Sequence, residues 1–270
     1  MRNGYVVVPT VLSRAEIAKY RDVVARHFAE GGNLALMGKT QPNAAATVPE
    51  LAPIFSEPRI VALFREVAGT ENVAFTGHCD VHQDFVSGFH KDTGPGNSYF
   101  DGDCFTDGCE VYKVGIYLQE HDEGEGLTVV PGSHLDPETL RHGAVTLRTK
   151  AGDVVFFDVR ITHRGKRAGI ADNMAKVLRA IGLERSGSKL AYQLGQAYRR
   201  LVGRRPRLSI FFTYGAAGDV TDYFAVANMA RQERQNDGAG VFPASLLEGL
   251  RRNDVSVSPV LGGSLPPDSA

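Results

Sequence analysis

The chain has 270 residues, 43% of them hydrophobic and 23% charged, which is ordinary for a soluble globular protein and excludes whole-chain disorder. Its 30 basic and 31 acidic residues leave a net charge of −1, so no global basic field exists to draw in nucleic acid or a membrane surface. No apolar run approaches a bilayer-spanning length. No signal peptide is read at the start, where Met1–Gly4 leads directly into Tyr-Val-Val-Val. Three cysteines, Cys79, Cys104 and Cys109, are too few and odd in number for a disulfide scaffold, and they point to a reducing cytoplasm.

In chain order, Gly4–Pro9 reads as a short strand. Ser13 then starts a helix, with Glu16 completing a capping box and Ile17, Tyr20, Val24 and Phe28 at helical spacing. Residues 31–53 show no period and read as a loop. Pro58 opens a second helix through Val67. From Asn72 the texture becomes β-rich, with strands expected at 73–81, 112–120, 127–130, 145–148, 154–157 and 208–214. Residues 172–202 interrupt that series with two helical pieces around Ser186-Gly187-Ser188. The tail from Ser256 is rich in Ser, Pro and Gly and reads as flexible. The expectation is a single domain over 1–255, mainly β with flanking helices, a 168–205 helical insertion before the late strand, and a loose 256–270 tail.

Eight histidines occur, and two stand in a metal-binding context. In extended chain, residues i and i+2 share a face, so His90-Lys91-Asp92 offers an imidazole and a carboxylate together. His163 follows the apolar strand at 154–157, 73 residues beyond His90. Two histidines and one carboxylate on one face of a metal leave the opposite face open, as in non-heme Fe(II) oxygenases. His82-Gln83-Asp84 also fits the short motif. It ranks second, because it continues the strand begun at Val73, whereas His90 runs into a Gly/Pro/Asn loop with room for a substrate.

With these residues in view, the chain resembles the phytanoyl-CoA dioxygenase-like family of Fe(II)/2-oxoglutarate oxygenases. The likeness is carried by Gly4–Ser13, His90-Lys91-Asp92, Ile116–Glu120, Gly126–His134, Ala151–Asp158, His163 and Arg207–Phe212, roughly residues 4–215. Pro131 stands 41 residues after His90, a spacing similar to the family's. The resemblance implies a double-stranded β-helix, a jelly-roll of cupin-like type. It implies Fe(II) held by His90, Asp92 and His163, with 2-oxoglutarate as co-substrate and O2 as oxidant. It also implies an arginine that pairs with the far carboxylate of 2-oxoglutarate. That arginine usually lies about ten residues after the distal histidine. Here Arg167 is in a loop only four residues on, while Arg207 opens a strand 44 residues on. Arg207 is chosen, with Ser209 assisting on the same face. Of Tyr112 and Lys113, adjacent on one strand, either is a further 2-oxoglutarate contact, and alternation lets only one face inward. No catalytic group beyond the metal ligands is expected. Halogenating relatives replace the acidic ligand with a small residue, so Asp92 favours hydroxylation or another oxidation, such as desaturation, epimerisation or ring formation, over halogenation, and the polar loop Thr93–Glu110 points to a small polar metabolite.

Two other features are weighed. Cys104 and Cys109 lack the spacing and the second pair of a zinc site, so a polar substrate-side loop is expected there. Arg199, Arg200, Arg204, Arg205 and Arg207 form a basic run, read first as a solvated helix end with one inward arginine and second as a docking surface near Arg199–Arg205 for an anionic substrate handle or carrier. The competing class is a non-redox cupin-like barrel that binds a ligand or isomerises it.

Overall fold

The computed structural model describes residues 1–35, 38–94, 104–105, 108–120, 126–167, 173, 177, 184–236 and 240–265. Strand β1 (Tyr5–Val8) leads to helix α1 (Arg14–Glu30). The Ser13 hydroxyl accepts from the Glu16 amide at 3.2 Å, and Glu16 accepts from the Ser13 amide at 2.7 Å, closing the capping box. Ile17, Tyr20, Val23, Val24 and Phe28 form the buried stripe of α1.

The stretch expected to be a loop is instead structured. It holds β2 (Asn33–Ala35), β3 (Gly38–Pro42), α2 (Ala44–Thr47) and α3 (Ala52–Phe55). The two helices are one turn each, too short to show a period. Strand β3 exists through its pairing with a distant strand. Helix α4 (Pro58–Ala68) buries Ile60, Val61 and Phe64, and stops at Gly69 in the left-handed region, φ 68°.

The strands that follow are β4 (Val73–Gln83), β5 (Val111–Tyr117), β6 (Thr128–Val129), β7 (Val145–Thr146), β8 (Val154–Asp158), β9 (His163–Arg164) and β10 (Leu208–Ala216). The larger sheet runs β1-β8-β5-β10-β4-β3-β2, and β7-β6-β9 form the smaller one. Alternation along each strand separates two surfaces. On β4, Cys79 and Val81 join the large core formed with α1 to α4, while Asp80 and His82 line a cavity on the opposite face. A second apolar cluster joins the sheets, with Tyr117, Val155, Phe157 and Phe211 from the larger, and Leu127, Val129 and Ile161 from the smaller or beside it. This arrangement of two facing antiparallel sheets is a jelly-roll.

Helix α5 (Glu184–Leu201) runs unbroken through Ser186-Gly187-Ser188, where the sequence predicts a break. The first helical piece of the insertion lies outside the described residues apart from Asn173 and Val177. Two further helices, α6 (Asp219–Asn236) and α7 (Ala244–Arg252), follow β10. The tail is not loose up to Leu265. Strand β11 (Val255–Val257) pairs in parallel with β4, Ser258 donates to Asp222, and Leu261 is buried in the main core. Residues 266–270 lie outside the described set. Among the described residues no helix is long and apolar enough to cross a membrane.

Candidate metal centre

His90 and His163 are joined by backbone pairing. The His90 amide donates to the His163 carbonyl at 2.9 Å, and the reverse bond is 2.8 Å. The two imidazoles therefore fall on one side, with ring centroids 4.3 Å apart. Two residues on, the Asp92 amide donates to the Val159 carbonyl at 2.9 Å, which keeps the segment extended and returns the carboxylate to the same side. Lys91, between them, points away and donates to the carbonyls of Ser133 and Arg160. Ligand atoms from His90, Asp92 and His163 lie within 4.8 Å of one another, the one such group of metal-binding types among the described residues.

The imidazole hydrogen bonds suit a cation. His90 Nδ1 lies 2.9 Å from the Gly88 carbonyl and His163 Nδ1 lies 3.0 Å from the Ile161 carbonyl. Each carbonyl can only accept, so Nδ1 carries the proton and Nε2 keeps its lone pair. Those Nε2 atoms stand 3.9 Å and 3.8 Å from the Asp92 oxygens. Burial, with His90 next to it, pushes the His163 imidazole down to about 3, and burial lowers His90 as well. Burial alone would raise the Asp92 carboxyl, but the charge and hydrogen bond of the Lys113 ammonium hold it below the usual carboxylate range. The result is two neutral imidazoles and one carboxylate converging in a buried site, a donor set matched to a divalent first-row metal.

This cluster forms part of the wall of a cavity of about 230 Å³ on the inner sheet face. Lys113 Nζ reaches Asp92 Oδ2 at 2.7 Å. Phe157 lies against His163, with centroids 4.9 Å apart. Arg207, 5% exposed, lines the same cavity and sets its guanidinium 5.0 Å from the Tyr117 ring centroid. Ser209 is buried on the same strand face, opposite His82 and Tyr117. Arg167 is exposed and belongs to a different cavity.

Tyr112 needs correction as a co-substrate contact. Its neighbour Lys113 takes the inward position, so alternation turns Tyr112 outward, into the core beside Phe64. The second His-x-Asp motif is also taken apart by the fold. His82 stacks on Phe85 at 4.5 Å, while Asp84 adopts φ 56° and accepts from the Arg207 amide at 2.8 Å, from Gln196 at 3.1 Å and from Arg199. Arg199 is thus an internal ion-pair partner rather than a member of a solvent-facing basic run. Cys104 and Cys109 are buried with Val111, Val159 and Phe224, so these two side chains belong to apolar packing. Much of the 93–110 loop lies outside the described residues. His134 packs under Gly4, whose φ of 78° leaves no space for a Cβ, because the His134 ring would be 2.6 Å away.

Several wall residues are not foreseen from the sequence. Asp80 sits behind the cluster and accepts from Gln232 at 3.0 Å and from Arg231 at 3.2 Å, with His78 Nε2 at 3.1 Å. Arg231 and Gln235 from α6, and Thr40 from β3, complete the cavity. The only sequence signal for them is a cluster of polar residues on α6 at spacings of three and four.

The family model for phytanoyl-CoA dioxygenase matches residues 1–168. A search of curated proteins by sequence finds no match. Among solved structures, the non-heme α-ketoglutarate-dependent epimerase SnoN from nogalamycin biosynthesis is similar at 21% identity and a TM-score of 0.53, covering 79% of this chain and 78% of that one. HygX from Streptomyces hygroscopicus, solved with nickel and 2-oxoglutarate bound, gives 16% identity and a TM-score of 0.55, covering 80% and 84%. The carbocyclase SnoK, also from nogalamycin biosynthesis, gives 18% identity and a TM-score of 0.53, covering 80% and 81%. At these identities the likeness is one of fold.

Proposed function

The chain belongs to the phytanoyl-CoA dioxygenase family, and from that premise we propose that it is an Fe(II)- and 2-oxoglutarate-dependent dioxygenase that hydroxylates a C–H bond of a small polar metabolite. The family and the solved structures similar to it are non-heme iron, 2-oxoglutarate-dependent enzymes. The observation that carries the reading is the buried convergence of His90, Asp92 and His163, with both Nδ1 atoms bonded to carbonyls. A non-redox barrel has no need of that set together with a buried arginine in one cavity.

In this reading His90, Asp92 and His163 hold the metal. When bound, iron with 2-oxoglutarate supplies the oxidising power that activates O2, giving succinate and CO2 as co-products. Arg207 grips the far carboxylate of 2-oxoglutarate through a planar two-donor face, and Ser209 adds a hydroxyl on the same strand face. Lys113 holds Asp92 in place and offers a cation to an incoming carboxylate. Phe157, Phe211 and Leu127 keep water from the cavity wall. Epimerisation and ring formation, the reactions named for SnoN and SnoK, are alternative outcomes at the same kind of centre.

The test is anaerobic loading with Fe(II) and 2-oxoglutarate followed by admission of O2. Succinate formation that disappears in His163→Ala supports the reading. No succinate from a folded, iron-loaded protein, with or without a metabolite pool as substrate, counts against it.

A further inference from the structure

We infer that a second cavity, walled by Arg141, Arg164 and Arg167, binds a phosphoryl group carried by the substrate. The inference rests on the proposed oxygenase function for what the handle delivers, but the anion site itself is argued from separate residues.

The cavity is about 430 Å³ and includes Ser87, Phe89, Asn173 and the three arginines in its wall. Six other arginines, Arg59, Arg65, Arg160, Arg199, Arg231 and Arg252, each pair with a carboxylate. Among the described residues none of Arg141, Arg164 and Arg167 does. Arg164 Nε is buried without a hydrogen-bond partner, and its guanidinium lies 4.4 Å from the Phe89 ring centroid. A buried donor left unmatched is costly, and three like charges around one space repel each other. An oxyanion would relieve both, because guanidinium forks match phosphate oxygens in pairs. Three forks suit the three oxygens of a phosphoryl group better than the two of a carboxylate.

Position links this space to the metal centre. Phe89 and Arg164 are the chain neighbours of His90 and His163, and alternation sends them to the other side of the same two segments. Ser87 lines both cavities, and its hydroxyl accepts from the Gly165 amide at 2.8 Å. A molecule held by its phosphate at the arginines would extend past Ser87 and Gly165 toward His90 and His163. Arg207 is in the other cavity, so the two anions, substrate handle and 2-oxoglutarate, have separate cations.

The experiment uses the full chain loaded with Ni(II) and 2-oxoglutarate, with phenyl phosphate and benzoate as probes in calorimetric titration. Phenyl phosphate should bind without displacing 2-oxoglutarate. Arg164→Gln and the doubly substituted Arg141→Gln/Arg167→Gln should each weaken it at least tenfold, and benzoate should bind at least tenfold more weakly to the unsubstituted protein. The paired variant carries the test if Arg164→Gln fails to fold. Arg207→Gln should lose 2-oxoglutarate yet keep phenyl phosphate, which separates this site from the oxygenase reading. Absence of phenyl phosphate binding, binding indifferent to the arginine variants, or one-for-one displacement of 2-oxoglutarate would each overturn the site. Equal, arginine-dependent binding of benzoate would overturn the phosphoryl assignment.

Discussion

Lys113 Nζ stands 2.7 Å from Asp92 Oδ2, and both side chains are buried on the inner sheet face. Without a metal, that ammonium is the nearest full positive charge to the carboxylate. Removing one member of a buried pair costs about 3–5 kcal/mol, because the other charge is left without compensation. Lys113→Met should therefore destabilise the metal-free protein by about that amount in a denaturant titration. A divalent ion at His90, Asp92 and His163 supplies the missing charge, so saturating Ni(II) should restore most of the loss. Equal destabilisation with and without metal would show that Lys113 acts only through packing.

The ligand assignment makes a sharper prediction. His90→Ala, Asp92→Ala and His163→Ala should each weaken Fe(II) or Ni(II) binding by more than about 100-fold, beyond the usual effect of losing an outer hydrogen-bond partner. His82→Ala should bind metal normally, because His82 stacks on Phe85 and Phe211 outside the cluster. Metal titration with the protein held at constant pH reads both outcomes.

For the co-substrate, Arg207→Ala should raise the 2-oxoglutarate KM by a factor corresponding to about 2–5 kcal/mol, the cost of leaving a buried carboxylate without its charged partner. Arg167→Ala should leave that KM unchanged, because Arg167 is exposed and lines the other cavity. The reverse pattern would show that the family's usual short spacing from the distal histidine to its arginine applies here after all.

The cluster was legible because its signal is local. His90 and Asp92 are two residues apart in extended chain, and His163 follows the apolar strand β8 after a short turn. The capping box of α1 and the proline start of α4 are local in the same way. What the sequence hid depends on distant pairing. Thr40 reaches the cavity because β3 pairs with β4, Thr40 opposite His82, and nothing within residues 31–53 announces a strand. Helix α6 escaped because the side it buries mixes Phe224, Ala225 and Met229 with Thr221, Asn228 and Gln232, with Arg231 turned to Asp80, so polar residues interrupt its apolar stripe. In α5 the helical spacing of Leu190, Leu194, Ala197 and Leu201 does not mark the side that makes the contacts. Leu194 and Leu201 are exposed, while Tyr192, Gln196 and Arg199 make its contacts with Gln83 and Asp84.

The start of α1 should show its own pH dependence. Hydrogen bonds from Arg59 and Ser13 hold Glu16 down to about 2 from an ordinary 4.5. A carboxylate depressed on folding stabilises above its unfolded value and loses that contribution as pH falls toward the folded one. Both partners are partly exposed, so the contribution is about 0.5–1 kcal/mol. Glu16→Gln should lower stability by that much at pH 7. The gap from the unsubstituted protein should narrow below about pH 4.5 and close near pH 2. A gap that stays constant across this range would assign the effect to helix packing instead.

Asp84 provides the means to ask what α5 does. It is buried, and it receives three donors from two sources: Gln196 and Arg199 on α5, and the backbone amide of Arg207. One carboxylate thus ties the helix to the residue proposed to hold 2-oxoglutarate. The two connections can be cut separately. Gln196→Ala with Arg199→Ala removes the helix contacts to Asp84 and leaves the Arg207 amide bonded. This variant should become more sensitive to proteolysis within α5, convert 2-oxoglutarate without substrate at a normal rate, and lose coupled oxidation of the substrate as the helix ceases to restrict the site. Asp84→Ala cuts both connections, so it should show the same loss and also a several-fold weaker hold on 2-oxoglutarate through a shifted Arg207. If the double variant on α5 alone weakens 2-oxoglutarate as much as Asp84→Ala does, the helix supports the co-substrate site rather than substrate selection.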